Sequence, residues 1–427
     1  MTSAWKVVSR WPLVDADAEK WWQLLGPHLA TLTEAAGYTF EEQVNVLLFL
    51  LSQAIPSVGS APSTNSFAHW KSLLTNDGSP FEYSWKWNQK SGKPEIRYCI
   101  EAIGATAGKP DDPMNLKATD TLFENLARLL PGLNTVWLRH YIDSFDLARK
   151  KKNSQKQDDP ISSMFVAFEH GKHDVVVKAY FLPSEDVDGG RPTFSTFDRA
   201  IRPISQDHRA LDAVLEYVST DKYGSTLAPD MLAIDCVEPS QSRLKLYAGS
   251  PKTSLESIIS VMTLGGKIKN VEKGIEQLTE LFHLVLSTDG TSLPLSEETP
   301  VQNAFDAALA HPFDLYENMV YYFDIAPKSS LPDVKFYIPA IRLGASDQAV
   351  TEGLGRFLQR HGRDTYFEGF ERSLREIKAA HASNSEHRVQ TFIAVAFQKE
   401  GELALTSYMN PGFYHAKLKQ TNGVGDA

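Results

Sequence analysis

Cysteine, excess positive charge and long apolar runs are all scarce in this chain of 427 residues. Its two cysteines, Cys99 and Cys236, exclude a disulfide-rich scaffold and a zinc site made of cysteines, and they indicate a reduced intracellular protein. The net charge of -10 argues against a general nucleic-acid binder. The most apolar stretch, Val44 to Leu51, is well short of the roughly 20 residues that a membrane helix needs. No secretory signal or prenylation box is visible, so we expect a cytoplasmic protein that has no membrane partner.

Several catalytic motifs are also missing. The sequence has no Gly-x-Ser-x-Gly elbow, no His-Glu-x-x-His and no Walker loop. The run Leu264-Gly265-Gly266-Lys267 lacks the other P-loop residues and is typical of a helix C-cap. Neither Asp111-Asp112-Pro113 nor Asp158-Asp159-Pro160 is the Asp-Asp-x-x-Asp box that binds a diphosphate through magnesium. We therefore predict no metal site, and cationic side chains would have to hold any diphosphate.

The composition supports a large folded core, because 42% of the residues are hydrophobic. No low-complexity linker divides the chain, so we expect residues 1–427 to form a single domain. Apolar residues recur at helical spacing in eight segments. These are Ala18 to Leu32, Glu41 to Ala54, Thr119 to Leu130, Asn134 to Ala148, Phe197 to Val218, Leu255 to Leu264, Gly274 to Leu286 and Ala349 to Ala379.

Between the helices lie five pairs of short runs rich in aromatic and β-branched residues, each pair joined by a turn-prone segment. Five hairpins supply ten antiparallel strands, and a sheet of that size tends to close, with the helices covering its outside. The pairs are Phe81 to Trp87 with Ile96 to Ile103, Met164 to Phe168 with Val175 to Leu182, Met231 to Val237 with Arg243 to Tyr247, Val320 to Ile325 with Val334 to Ile341, and Thr391 to Phe397 with Leu403 to Tyr408.

One face of these strands combines cations with tyrosines. Alternation places Lys178 with Tyr180 and Lys335 with Tyr337. A solvated face would explain each strand alone, but such faces normally mix acids and bases, and these carry little acid. If helices cover the apolar faces, the cationic faces line the lumen, where a diphosphate would balance their charge. The π-faces of tyrosines stabilise carbocations. The same face holds Arg97, Arg243, Lys245 and Tyr247.

A single carboxylate, Glu82, stands at the start of the first strand. A glutamate in this position is most often simply exposed. Inside the lumen, however, it would be a hydrogen-bond acceptor and general base for an acidic N–H or O–H.

Five segments in the same order give the chain a resemblance to a known family, over about Trp21 to Tyr414. They are Ser79 to Ser84, Val177 to Tyr180, Asp235-Cys236 followed by Ser242 to Tyr247, Thr263 to Gly266, and Val334 to Pro339. With these segments the chain resembles the fungal aromatic prenyltransferases of the dimethylallyltryptophan synthase type. The resemblance implies the α+β ABBA fold, a barrel of ten antiparallel strands surrounded by helices.

The resemblance also implies an activity and its residues. A prenyl group, usually dimethylallyl, would pass from its diphosphate to an electron-rich aromatic ring in fungal secondary metabolism, with no required metal or other cofactor. Glu82 would hold the N–H or O–H of the aromatic acceptor. The diphosphate would be bound by Arg97, Lys178, Arg243, Lys245 and Lys335, and the allylic cation would be shielded by Tyr180, Tyr247, Tyr337 and Tyr408.

Two departures from the family pattern concern the acceptor. Asp230 stands where members that use free tryptophan have an arginine for its carboxylate, and Phe165 stands where members that alkylate the indole 4-position have a lysine. We therefore expect a cyclic dipeptide, an indole alkaloid, an indole diterpene or a phenolic compound as acceptor, and a monomer or homodimer as the working form. The alternatives are a non-catalytic barrel that binds an acidic small molecule and a magnesium-dependent terpene synthase, which would need the missing Asp-rich motifs.

Overall fold

A computed structural model describes most of the chain. The described residues are 2–13, 15–62, 70–88, 92–147, 162–171, 174–184, 186, 190–205, 207–286, 294–301, 318–379, 388–398 and 401–414. The second acidic run considered above, Asp158-Asp159-Pro160, lies outside them.

The described residues form a closed barrel of ten strands. Each strand is antiparallel to both neighbours in chain order, and the first strand closes the barrel by pairing with the last, with Tyr83 opposite Met409. The five predicted hairpins and the predicted closure are confirmed. The strands are β1 Phe81–Trp87, β2 Glu95–Ile100, β3 Met164–His170, β4 Val175–Phe181, β5 Ala228–Asp235, β6 Leu244–Ser250, β7 Met319–Ile325, β8 Asp333–Ile338, β9 Gln390–Phe397 and β10 Leu403–Met409.

Helices stand between the strand pairs and around the barrel, and several begin at capping residues that the sequence supplies. Thr39 and Glu42, for example, form a reciprocal capping box at the start of the third helix. The helices are α1 Ser3–Val8, α2 Ala16–Ala35, α3 Phe40–Phe49, α4 Lys117–Leu129, α5 Val136–Ser144, α6 Phe194–Ile201, α7 Arg209–Thr220, α8 Leu255–Met262, α9 Glu272–Leu286, α10 Ala340–Leu343, α11 Asp347–Arg360 and α12 Phe367–Ala379.

Two segments with continuous helical spacing are each divided into two helices. Residues 197–218 hold the end of α6 and most of α7, because Pro203 has no N–H to donate and disfavours helix at the residue before it. Residues 349–379 hold most of α11 and all of α12. The break between them follows α11, where Gly362 takes the left-handed conformation (φ 63°). Apolar periodicity alone does not reveal such breaks, since both helices pack an apolar face on the same barrel.

The outer face of the barrel is apolar and covered by helices, as expected. On β1 the residues Trp85 and Trp87 lie within 5.3 and 5.0 Å of the ring of Phe370 from α12, measured between ring centroids. Phe168 of β3 meets Phe49 of α3 at 5.1 Å. Because successive side chains of a strand point to opposite faces, this outer packing directs the intervening side chains, such as Glu82 of β1 and Glu169 of β3, into the lumen. Among the described residues, no helix is both long and apolar enough to span a membrane.

Candidate active site

The strand register brings the predicted cations and tyrosines together inside the barrel. Lys178 of β4 lies opposite Asp235 of β5, and Tyr180 of β4 lies opposite Ala233, which in turn lies opposite Lys245 of β6. On the next strands around the barrel, Tyr247 of β6 pairs with a residue of β7. Lys335 and Tyr337 of β8 each pair with residues of β7 and β9. Arg97, Tyr408 and Glu82 reach the same space from β2, β10 and β1. Arg243 just precedes β6, and its guanidinium lies at the rim, where 44% of the side chain is exposed.

Carboxylates pair with most of these cations. Glu169 of β3 accepts from Lys178 Nζ at 2.5 Å and from Arg97 Nη2 at 3.1 Å. Asp235 accepts from Lys245 Nζ at 2.7 Å and from Arg243 Nε at 3.1 Å. Two further acids join the chain of charges: Glu95 accepts from Lys86 and Arg97, and Asp324 accepts from Arg243.

The expectation that the inner faces carry little acid is therefore wrong. The acids occupy inner positions near one end of the barrel. Glu95, Glu169 and Asp235 each bind two basic side chains, and Asp324 binds one. Burying several like charges without countercharge would cost too much, so the fold supplies part of the countercharge itself. The signal was present in the sequence, because Glu169 and Asp235 lie at inward positions of strands that pair with β4. These acids lie on the strands next to those that carry the cations, so the charge pattern of one strand alone does not reveal them.

Lys335 differs from the other lumen cations. Among the described residues it forms no ion pair, and its Nζ donates only a long hydrogen bond of 3.3 Å to Thr406 Oγ1. The Nζ also lies 5.8 and 5.7 Å from the ring centroids of Tyr322 and Tyr337. Burial, and then the charges of neighbouring cations such as Arg97, hold the pKa of Lys335 well below its usual range. A bound anion would stabilise the protonated form of this lysine.

Lys178 is perturbed in the same direction. Burial, and then the charges of Lys245 and Arg97, lower the pKa of Lys178 to about 8, against the opposing effects of Glu169 and Asp235. Burial alone would raise the pKa of Glu169, but the charges of Arg97 and Lys178 outweigh burial and hold it below its usual range. The lumen is therefore a positively charged site, and a bound anion would stabilise its buried cations.

A connected group of tyrosines lies in the lumen beside the cations. Their ring centroids are 6.1 Å apart for Tyr180 and Tyr247, 6.1 Å for Tyr247 and Tyr337, and 5.4 Å for Tyr337 and Tyr408. The hydroxyl of Tyr337 lies 3.4 Å from those of Tyr247 and Tyr408. A fifth tyrosine, Tyr322 of β7, was not predicted, yet its centroid is 5.1 Å from that of Tyr247. Counting back across the hairpin from Lys335, its direct partner, would have identified it.

A cavity extends from this group towards the other end of the barrel, with an empty volume of about 910 Å³ that includes the solvent at its mouth. Glu82 is half-buried because its side chain faces this cavity, and its Oε1 accepts a hydrogen bond of 3.3 Å from Thr391 Oγ1. Burial raises the pKa of Glu82 to about 8, although the hydrogen bond from Thr391 opposes the shift. The apolar part of the wall is formed by Leu73, Leu74, Phe165, Met231, Val320 and Phe392.

The two departures from the family pattern both lie at this end. Phe165 is 3% exposed, lines the cavity and lies opposite Tyr180 in the β3–β4 register. Asp230 is 4% exposed at a β-bulge in β5, and its Oδ2 lies 3.2 Å from the position that a Cβ on Gly249 would occupy. Among the described residues, no cluster of three or more His, Cys, Asp or Glu side chains is placed to hold a metal ion.

Comparison with known proteins identifies the family. The chain matches the family model of tryptophan dimethylallyltransferase over residues 17–373. It is 49% identical to the DMATS-type prenyltransferase fscG of Fusarium equiseti, over 98% of this chain and 97% of that protein. It is 34% identical to xanthone prenyltransferase B of Emericella nidulans, over 97% of this chain and 92% of that protein.

Solved structures show the same fold. The crystal structure of AnaPT from Neosartorya fischeri superimposes with a TM-score of 0.76 at 23% identity, over 96% of this chain and 98% of that one. That of NotF in complex with brevianamide F and DMSPP gives a TM-score of 0.77 at 21% identity, over 96% and 99% of the two chains. The predicted ABBA barrel is confirmed, and the chain belongs to the tryptophan dimethylallyltransferase family as an aromatic prenyltransferase.

Proposed function

We propose that this enzyme transfers a dimethylallyl group from dimethylallyl diphosphate to a neutral, polycyclic aromatic acceptor, without a metal ion. The observation that supports this most directly is the order of features along the lumen. A cluster of cations comes first, a group of tyrosines follows, and an apolar cavity bearing Glu82 lies beyond them. A diphosphate, an allylic carbon and an aromatic ring would meet these features in the same order.

The diphosphate end is where the carbon–oxygen bond would break. Arg97, Lys178, Lys245 and Lys335 would hold the diphosphate, with Arg243 at the rim. As the bond ionises, its electron pair leaves with the diphosphate, and fixed cations in a site shielded from water stabilise that charge. The lysine that forms no ion pair among the described residues, Lys335, would gain most from the new anion. The cations would thereby take the place of a metal ion.

The tyrosines would protect the allylic cation until the acceptor attacks. Their rings present π-faces, which favour a nearby positive charge and exclude water. Burial raises the pKa of Tyr247 and Tyr337 well above the usual range, so these hydroxyls stay protonated and do not attack the cation as phenolates.

Glu82 would bind and activate the acceptor. Its carboxylate would accept the N–H or O–H proton, which raises the electron density of the ring that attacks the allylic carbon. The new carbon–carbon bond forms as the ring attacks. The released diphosphate would then take the ring proton, which restores aromaticity, and Glu82 would return its proton to the nitrogen or oxygen of the product. Because burial raises the pKa of Glu82 to about 8, the carboxylate is a stronger base than an exposed glutamate.

The cavity wall favours a neutral polycyclic phenol or indole over free tryptophan. Phe165 offers an aromatic wall where a lysine would relay a proton. Asp230 does not line the cavity itself, but it is buried at the same end of the barrel, where it would repel an amino-acid carboxylate. A relative at 34% identity is named a xanthone prenyltransferase, and xanthones are neutral tricyclic aromatics. Lack of a charge partner should cost free tryptophan roughly a hundredfold or more in kcat/KM.

A side-by-side measurement of kcat/KM tests this assignment. Purified enzyme is incubated with dimethylallyl diphosphate and either L-tryptophan, a tricyclic indole or a hydroxyxanthone, and products are identified by mass. We expect one of the polycyclic acceptors to exceed L-tryptophan by roughly a hundredfold or more. As a control, the double variant Asp230→Arg, Phe165→Lys should raise the use of L-tryptophan and not that of the polycyclic acceptor. If L-tryptophan is the best acceptor of the wild-type enzyme, the proposed acceptor class is wrong.

A further inference from the structure

A second buried carboxyl group lies just outside the lumen, directly after β2. Glu101 is 1% exposed and accepts four hydrogen bonds. Its Oε1 accepts from Trp70 Nε1 at 2.7 Å and from Asn115 Nδ2 at 3.2 Å, whereas its Oε2 accepts from the hydroxyls of Ser72 and Ser162, both at 2.5 Å. A carboxylate has room for four donors, so Glu101 can be fully satisfied without a cation.

The two serines continue these contacts to the cavity wall. Ser162 Oγ accepts from the backbone N–H of Leu73 at 2.9 Å, and Ser72 Oγ accepts from that of Leu74 at 3.1 Å. A hydroxyl has a single hydrogen, so a serine that donates to Glu101 must turn its lone pairs towards the leucine N–H. Glu101 therefore orients both serines and, through them, the backbone of two successive leucines.

Those leucines belong to the wall of the cavity where we place the aromatic acceptor. Leu73 and Leu74 pack with Phe165 and Leu182 in one buried apolar cluster, and both leucines line the cavity. Ser162 precedes β3 by two residues, so the same hydrogen bonds also tie the leucine segment to the strand that carries Phe165. The carboxylate of Glu101 therefore fixes the backbone of this part of the cavity wall through the two serines.

We propose that Glu101 is a positioning residue for the aromatic acceptor, which it controls by fixing Leu73 and Leu74 through Ser162 and Ser72. This proposal rests on the proposed function, because it places the acceptor in that cavity. Glu101 does not line the cavity, and the four donors to its carboxylate named above include none of the cations that would hold the diphosphate. Its loss should therefore alter recognition of the acceptor and not of the prenyl diphosphate.

The test measures both substrates separately in Glu101→Gln. Glutamine keeps the size of the side chain, but its amide group cannot accept hydrogen bonds from four donors. We expect KM for the best polycyclic acceptor to rise roughly tenfold, as for loss of a buried hydrogen bond, while the Kd for dimethylallyl diphosphate stays within about twofold. We also expect the ranking of acceptors by size to change, since the wall itself moves.

Three serine variants keep the test decisive if Glu101→Gln folds poorly. Ser72→Ala and Ser162→Ala each cut one connection, and both should raise the acceptor KM. Ser163→Ala is the matched control, because this neighbouring buried serine donates to the carbonyl of Met114 and not to Glu101. It should change neither KM nor the acceptor ranking, whatever its effect on thermal stability.

Two results would overturn the positioning role. One is an unchanged acceptor KM in Glu101→Gln, Ser72→Ala and Ser162→Ala. The other is an equal weakening of acceptor binding and of prenyl diphosphate binding. These outcomes differ from failure of the proposed function, in which the wild-type enzyme would prenylate none of the polycyclic acceptors.

Discussion

Replacing Glu82 by glutamine should stabilise the protein while it removes activity. Burial raises the pKa of Glu82 from 4.5 to about 8, so the folded state binds this proton more tightly than the unfolded chain does. The contribution of the protonated carboxyl is therefore complete below pH 4.5 and is lost as the pH rises through 8. By linkage, this shift lowers the free energy of unfolding by about 3 kcal/mol at pH 7, compared with its value below pH 4.5. Glutamine has no charge to bury and can keep a hydrogen bond with Thr391.

The assay is urea unfolding of wild-type protein and Glu82→Gln at pH 6 and pH 8. The stability gain should be larger at pH 8 by about 2 kcal/mol, because the proton that wild-type Glu82 takes up on folding costs more free energy at the higher pH. Turnover of the best acceptor should fall about a hundredfold or more, the usual scale for loss of a general base, and the affinity for dimethylallyl diphosphate should barely change.

A matched control, Glu280→Gln, should change the stability in the opposite direction. Glu280 lies on the surface beside Arg360 and His361, and these hydrogen bonds outweigh partial burial and lower its pKa. Glu280→Gln should therefore reduce stability at neutral pH and leave turnover intact. Equal gains for Glu82→Gln at pH 6 and pH 8 would mean that Glu82 is already charged in the folded state, and near-wild-type turnover would remove it from the reaction.

Three further results are expected. The affinity for dimethylallyl diphosphate should fall as the pH rises through 8, by up to about tenfold per pH unit, because Lys178 must be protonated to bind it; calorimetric titrations at pH 7 and pH 9 check this. Lys335→Met should stabilise the empty protein yet weaken diphosphate binding, whereas retained affinity would show that Lys335 does not touch the diphosphate. Trp85→Ala should lower the free energy of unfolding by about 3–5 kcal/mol, because Trp85 is fully buried under α12, and a loss below about 1 kcal/mol would mean that this contact is weak.

The barrel and much of its lining could be predicted because strand periodicity is a local signal. In β4 and β8 the positions of Lys178, Tyr180, Lys335 and Tyr337 alternate with apolar residues. Once helices cover the apolar side, no other arrangement keeps these cations off the outer surface. The same alternation applies to Glu82, which stands between the aromatic residues Phe81 and Tyr83, although a glutamate at a strand start is by itself most often exposed.

The rest depends on contacts between distant parts of the chain. Arg97 and Glu169 are 72 residues apart, and their ion pair exists only because β2 and β3 are adjacent. The group around Glu101 joins residues from four separate places, so neither Ser72 nor Ser162 carries a local signal of its role. Charge balance in a closed lumen must be counted over all strands together.

The most direct measurement is product formation by purified wild-type enzyme from dimethylallyl diphosphate and a hydroxyxanthone, with an excess of chelator present. The cation cluster around Lys335 should support transfer without a metal ion, so the acceptor should gain the mass of one isoprene unit at the same rate with and without chelator. Loss of product in chelator and its recovery with magnesium alone would contradict the proposal that these side chains replace the metal.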